Sequence, residues 1–139
     1  MGQIVVGYDG SDCSKAALEH AVGLAKGLGD EIVLVFGYAP PGIWGGEIAE
    51  HEEAIEEFGE KVMAEGKKLA EEGGVAVEVE MVPKRGAEAL TDVAAACEAR
   101  MIVVGSYGEA PLKGAILGST PYKLLHQSEW PVLVVPAPR

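Results

Sequence analysis

Five short apolar runs separated by stretches of helical periodicity decide what this chain can fold into. The runs are Gln3–Tyr8, Glu31–Tyr38, Ala76–Val82, Met101–Gly105 and Pro131–Val135, each rich in Val, Ile, Leu or Met. Near-continuous apolarity over so few residues suits strands covered on both faces, the environment of a parallel sheet; a half-exposed antiparallel strand would alternate instead. Between the first two runs, Ala17, Leu18, Ala21, Ala25 and Leu28 recur at helical spacing, so a helix is expected from about Cys13 to Leu28, ended by Gly27, Gly29 and Asp30. Ile48, Ile55, Phe58, Val62 and Leu69 trace an apolar stripe over a longer helix, Glu47–Glu72, with Gly73 and Gly74 as terminators. Leu90, Val93, Ala94 and Cys97 form the apolar face of a third helix between Gly86 and Ala99. Strict alternation of strand and helix calls for right-handed crossovers. The expected fold is therefore α/β: a single doubly wound five-stranded parallel sheet with helices on both faces and strand order 3-2-1-4-5.

At 139 residues the chain is expected to form one domain spanning 1–139. Its 48% apolar and 24% charged residues are the balance of a globular protein. The start MGQIVVGYDG has no basic region before a long apolar core, no run approaches the ~20 residues of a membrane helix, and Val6 stands where a myristoylation motif requires Ser or Thr. A cytoplasmic location without membrane contact is expected. The net charge of -11 opposes a nucleic-acid backbone, which is held by many Lys and Arg contacts. A single nucleotide is different, because a few local N–H groups can hold it against a field screened over about 10 Å.

Several residues point to ordinary structural roles. Cys13 and Cys97 form no C-x-x-C pair and read as reduced thiols in or near the core. His51-Glu52 begins like a zinc-protease helix, but Ile55 stands where the second His is required, and His20 and His126 have no companion ligands. Ser11 or Asp12 is expected to cap the first helix. Neither a Walker-type nor a Rossmann glycine pattern occurs. Neither catalytic nor metal-ligating residues are expected from these spacings. Trp44, in the Pro/Gly-rich stretch after the second run, covers a pocket, anchors an interface or simply packs at a loop tip.

The segment leaving the fourth run carries the chemistry. Gly105 and Gly108 can take positive φ and leave no side chain in the way of backbone N–H groups approaching a phosphate. Gly118-Ser119-Thr120-Pro121 reads as a helix start, with Thr120 as N-cap and Pro121 at the first helical position. Free N–H donors and a partial positive charge at such a terminus favour an anion. In doubly wound sheets ligands bind beyond the carboxyl ends of the strands where the order reverses, here between strands one and four.

The spacing G-x2-G-x9-G followed by Ser or Thr, running from Gly105 through Gly108 to Gly118 and Ser119, resembles the universal stress protein family. So do Ile4-Val-Val-Gly-Tyr-Asp9-Gly-Ser11 and Trp130-Pro-Val-Leu-Val-Val135, so the resemblance spans the chain. It implies an adenine nucleotide, ATP by preference or AMP, with Mg2+ accompanying a triphosphate. Asp9 would contact the ribose or base, and Gly105, Gly108, Gly118 and Ser119, with Thr120 beside them, would cradle the phosphates. Phe36, Gly37 and Val104 would line the base pocket. Three departures stand out: Glu109 replaces a residue that is often basic, Pro121 removes an N–H donor, and Gly37 replaces a branched apolar residue, loosening the pocket. Lys113 and Lys123 are the candidates to restore positive charge. The function implied is nucleotide-binding regulation in stress response with little or no turnover. The alternatives are a slow ATPase or nucleotidyl enzyme using Asp9 and Mg2+, and a ligand-free dimeric scaffold. In each case a homodimer is expected through the apolar edge strand Pro131–Val135, bounded by Pro131 and Pro136.

Overall fold

The computed structural model describes residues 2–38, 48–106 and 118–137, with side chains in the second stretch from Glu53 onward. Strand and helix alternate throughout: β1 (Gln3–Gly7), α1 (Asp12–Leu28), β2 (Glu31–Gly37), α2 (Ile48–Glu72), β3 (Val77–Val82), α3 (Gly86–Cys97), β4 (Met101–Gly105), α4 (Ser119–Gln127) and β5 (Val132–Val135). All five strands are parallel and lie in the expected order, β3-β2-β1-β4-β5. Period-two alternation divides the strand side chains between two cores. Ile4, Val6, Ile32, Leu34 and Phe36 pack under α1 and α2, while Val5, Val33, Val35, Ile102 and Val104 pack under α3 and α4.

The two edge strands differ in chemistry. β3 exposes Glu78 and Glu80, charges that discourage another strand from pairing there. β5 pairs on one side with β4 and carries only Val and Leu, with Leu133 36% exposed.

Local signals account for most helix ends. Ser11 caps α1 by accepting from Ser14 N–H at 3.2 Å, and Gly29 closes it at φ 72, donating its N–H to the Ala25 carbonyl. Gly74 at φ 86 follows α2 in the same way. The buried face of α2 differs from the expected stripe, because Phe58 and Leu69 are 49% and 41% exposed. Val62, Met63 and Ala70 face the sheet with Gly59 and Gly66 among them. A Cβ on Gly59 would stand 2.7 Å from the Met81 methyl and one on Gly66 2.6 Å from a Leu34 methyl, so both glycines let the helix settle close to β2 and β3.

At the amino ends of the three interior strands, Asp30 ties three segments together. Its buried carboxylate accepts from the Gly2 N–H at 2.9 Å and from the Arg100 guanidinium at 2.5 and 3.2 Å. The Arg100 hydrogen bond holds the Asp30 carboxyl below the usual carboxylate range. A depressed folded-state pKa means that this stabilisation is complete above the unfolded-state value near ~4 and is lost as pH falls through the folded-state value. With the arginine head half exposed, Asp30→Asn is expected to cost about 1–2 kcal/mol at pH 7. Urea titrations at pH 7 and pH 3 should show the difference from wild type narrowing in acid; a gap independent of pH would refute this assignment.

Candidate functional site

β1 and β4 are neighbours whose chains depart to opposite sides of the sheet, and the start of α4 is tied back to the exit of β4. The first wall is the turn after β1. Asp9 Oδ1 accepts from Ser11 N–H at 2.9 Å, and Gly10 takes φ 82 to complete the turn. The Asp9 N–H reaches Ser14 Oγ at 3.4 Å, and Ser14 Oγ donates to the Ser11 carbonyl at 3.0 Å. Asp9 Oδ2 has no protein donor among the described residues, so one carboxylate oxygen is held by the turn and the other is left available.

The second wall is the exit of β4. Gly105 does not have positive φ, contrary to the sequence expectation; the left-handed glycines among the described residues are Gly10, Gly29 and Gly74. Space is the reason for glycine at 105. A Cβ there would lie 2.6 Å from Cys13 Cβ, 2.7 Å from its carbonyl carbon and 2.8 Å from its carbonyl oxygen, so the first turn of α1 crosses directly over the strand end. Ser106 follows, buried, with its N–H donating to the Val135 carbonyl at 2.9 Å and its hydroxyl 3.8 Å from Cys13 Sγ. Its carbonyl accepts from the Gly118 N–H at 2.6 Å, drawing the start of α4 back to the end of β4.

The start of α4 also corrects the sequence reading. Gly118, not Thr120, is the N-cap, at φ -70 and ψ 168, and no side chain among the described residues caps the helix. Ser119 is the first helical residue, and the first intrahelical bond runs from Tyr122 N–H to the Gly118 carbonyl at 3.1 Å. Pro121 therefore falls among the positions whose N–H has no intrahelical partner, and the helix forfeits nothing by its presence. The Gly118 amide is committed to Ser106, which leaves the Ser119 and Thr120 amides without an acceptor among the described residues. The Thr120 hydroxyl packs on Gly86, where a Cβ would come within 2.3 Å of it.

The remaining expected residues are dispersed. Phe36 is 8% exposed and sits in the first core, and Val104 is 3% exposed in the second. Gly37 is small because the Lys84 carbonyl would lie 2.7 Å from any Cβ there and Ala89 3.0 Å, so α3 fills the place of the missing side chain. Lys123 lines a groove of about 1040 Å³ between α3 and α4 together with Arg85. Lys84, on the same groove, is paired with Asp92 and Glu88. Gly108, Glu109, Lys113 and Trp44 lie outside the described residues, as do the side chains of His51 and Glu52.

Sequence reasoning passed over Ser14 and Ser106, which brace the two walls. Ser14 had a signal, since it stands three residues after the N-cap serine as capping pairs do; Ser106 had none. It also passed over Tyr8, whose buried hydroxyl has no hydrogen-bond partner among the described residues and whose pKa is pushed up to about 12, by burial first and then by Glu65 and Asp9. Of the lone histidines, His20 Nδ1–H donates to the Ala16 carbonyl at 3.0 Å, and His126 packs against Tyr122. Cys13 and Cys97 are free thiols, and burial raises the Cys97 pKa.

Comparison with known proteins agrees with this architecture. A family model described as the universal stress protein family matches residues 1–136. A curated universal stress protein of Methanocaldococcus jannaschii is 32% identical over 145 residues, covering 99% of this chain and 83% of that protein. One from Thermus aquaticus is 33% identical over 135 residues, covering 95% and 96% respectively. Among solved structures, a universal stress protein in complex with cAMP superposes with a TM-score of 0.80 at 25% identity, covering 99% of this chain and 98% of that one.

Proposed function

The chain belongs to the universal stress protein family, and from that premise we propose that residues 1–139 act as one adenine-nucleotide-binding domain, with ATP preferred and AMP accepted. The observation that carries this reading is the pair of uncommitted amides, Ser119 and Thr120, at the uncapped head of α4 beside the β1 and β4 exits. Such amides, at the positive end of a helix, suit a phosphate. The free Asp9 oxygen suits a ribose hydroxyl, or a Mg2+ ion brought with a triphosphate. A relative of the same fold, 25% identical, is described in complex with cAMP, which supports the same ligand class here. The rest of the expected cradle, Gly105, Gly108 and Gly118, would shape the loop around the phosphates; Phe36, Gly37 and Val104 would form the floor beneath the base.

The role is regulatory binding in a cytoplasmic stress response, with little or no turnover, by a homodimer joined through β5. Among the described residues no helix is long and apolar enough to cross a membrane, which is consistent with that location.

Calorimetric titration with AMP, cAMP and ATP, with and without Mg2+, tests the binding. Micromolar affinity for at least one of them is expected, and no heat above dilution for any would reject the proposal. A sharper version uses Ser119→Pro. Proline is favoured at the first helical position and Gly118 already has the extended backbone that a residue before proline requires, so the fold is retained while one amide donor is lost. A hydrogen bond to a charged group is worth about 1.5–3 kcal/mol, so affinity should fall at least about tenfold in Ser119→Pro beyond the change in Ser119→Ala, which loses only the hydroxyl.

A further inference from the structure

At the exit of β2 Phe36 lies between two other aromatic rings, Tyr38 and Phe58. Phe36 and Tyr38 stack with centroids 6.4 Å apart at 27°, and Phe36 meets Phe58 edge-on at 6.2 Å and 62°. Phe36 is 8% exposed, yet Phe58 is 49% exposed, so the cluster holds the Phe58 ring from one side and leaves much of it open. Its position follows from its neighbours on α2. Gly59 presses on the Phe36 ring, where a Cβ would lie 2.9 Å from two ring carbons. Val62, one turn on from Phe58 and on the same side of the helix, stands over the turn that holds Asp9: both its methyls would lie 3.5 Å from a Cβ on Gly10. The α2 face carrying Val62 and Phe58 thus runs from the exit of β1, where Asp9 stands, to the exit of β2.

We infer that Phe58 is a base-recognition residue of this site, offering the open part of its ring to the purine while Asp9 and the head of α4 take the ribose and phosphate. This rests on the nucleotide-binding reading above. A planar heteroaromatic is the ligand chemistry that fits an aromatic surface braced from behind: the ring is oriented before binding, so little rotamer freedom is lost when the base arrives. Burial of Phe36 then has a purpose beyond the core, as the backing against which Phe58 is set.

Titrations of wild type, Phe58→Leu and Phe58→Ala with AMP and with ribose 5-phosphate, which lacks the base, test the assignment. Leucine keeps the apolar packing against Phe36, so that variant remains informative if alanine fails to fold. Base–aromatic stacking predicts a loss of AMP affinity of about ten- to hundredfold in both variants, with ribose 5-phosphate affinity unchanged. In AMP-saturated wild type, nuclear Overhauser contacts are expected between adenine H2 or H8 and the Phe58 ring protons. Wild-type AMP affinity in Phe58→Leu, or no such contacts, overturns the inference while leaving nucleotide binding intact. Failure of wild type to bind any adenine nucleotide removes both.

Discussion

Gly105→Ala is expected to melt well below wild type while Gly23→Ala melts above it, although the same methyl group is added in both. At position 105 the new Cβ would enter the space of the Cys13 backbone, 2.7 and 2.8 Å from its carbonyl carbon and oxygen. Backbone atoms at the head of a helix capped by Ser11 and braced by Ser14 cannot rotate away as a side chain could. Overpacking of this kind costs about 1–3 kcal/mol, and the rigidity of the obstacle places Gly105→Ala toward the upper end, a drop of roughly 10 °C for a domain of this size. Gly23 is exposed within α1 and has nothing within 4 Å of its Cβ position, so alanine there gains about 0.5–1 kcal/mol of helix propensity and loses no contact. Thermal unfolding followed by circular dichroism reads both. If Gly105→Ala melts at the wild-type temperature, α1 does not lie across β4 as described, and the walls of the candidate site are wrongly joined.

Leu133→Glu should convert a homodimer into a monomer across the micromolar range in light scattering, with the fold unaltered by circular dichroism. The reason is the asymmetry of the sheet edges. β3 protects itself with Glu78 and Glu80, whereas β5 offers an unpaired ladder of Val132, Leu133, Val134 and Val135 with no charge on it. An exposed apolar edge of this kind invites a second strand, and a twofold axis across it brings the same residues of two copies together. A glutamate in that seam meets its own copy, and like charges facing across strands oppose pairing. Leu133 is 36% exposed in the isolated chain, so the substitution spares the core. A wild-type protein already monomeric at tens of micromolar would sink the dimer proposal.

The parallel, two-faced sheet was legible in the sequence because it follows from apolar run length and chain chirality, which allow the order 3-2-1-4-5 without dictating it. Residues such as Ile4, Val5 and Val6, all fully buried, leave no exposed face for an antiparallel alternative. Helix ends were legible where one residue type settles the backbone, as with Ser11 as a cap and Gly29 as a left-handed stop. Thr120 misled because Ser, Thr and Gly all suit an N-cap. The choice of Gly118 was made by the tie of its amide to Ser106, a contact between residues on either side of the glycine loop.

Glycine was where local reasoning reached its limit. At Gly10 and Gly74 the residue serves a left-handed backbone, a requirement a sequence can suggest. At Gly37, Gly59, Gly66, Gly86 and Gly105 it is there because another element occupies the volume of the Cβ, and hydropathy carries no trace of such a neighbour. The apolar stripe of α2 was misjudged for the same reason, since its glycines face the sheet while Phe58 and Leu69 stand at the margin. Periodicity and residue chemistry, which act between near neighbours along the chain, determined the fold class and drew attention to the exits of β1 and β4. Which amides stay uncommitted at the head of α4, and which ring of the aromatic cluster is left open, was decided only by tertiary structure, because both depend on which distant atoms have already filled the space.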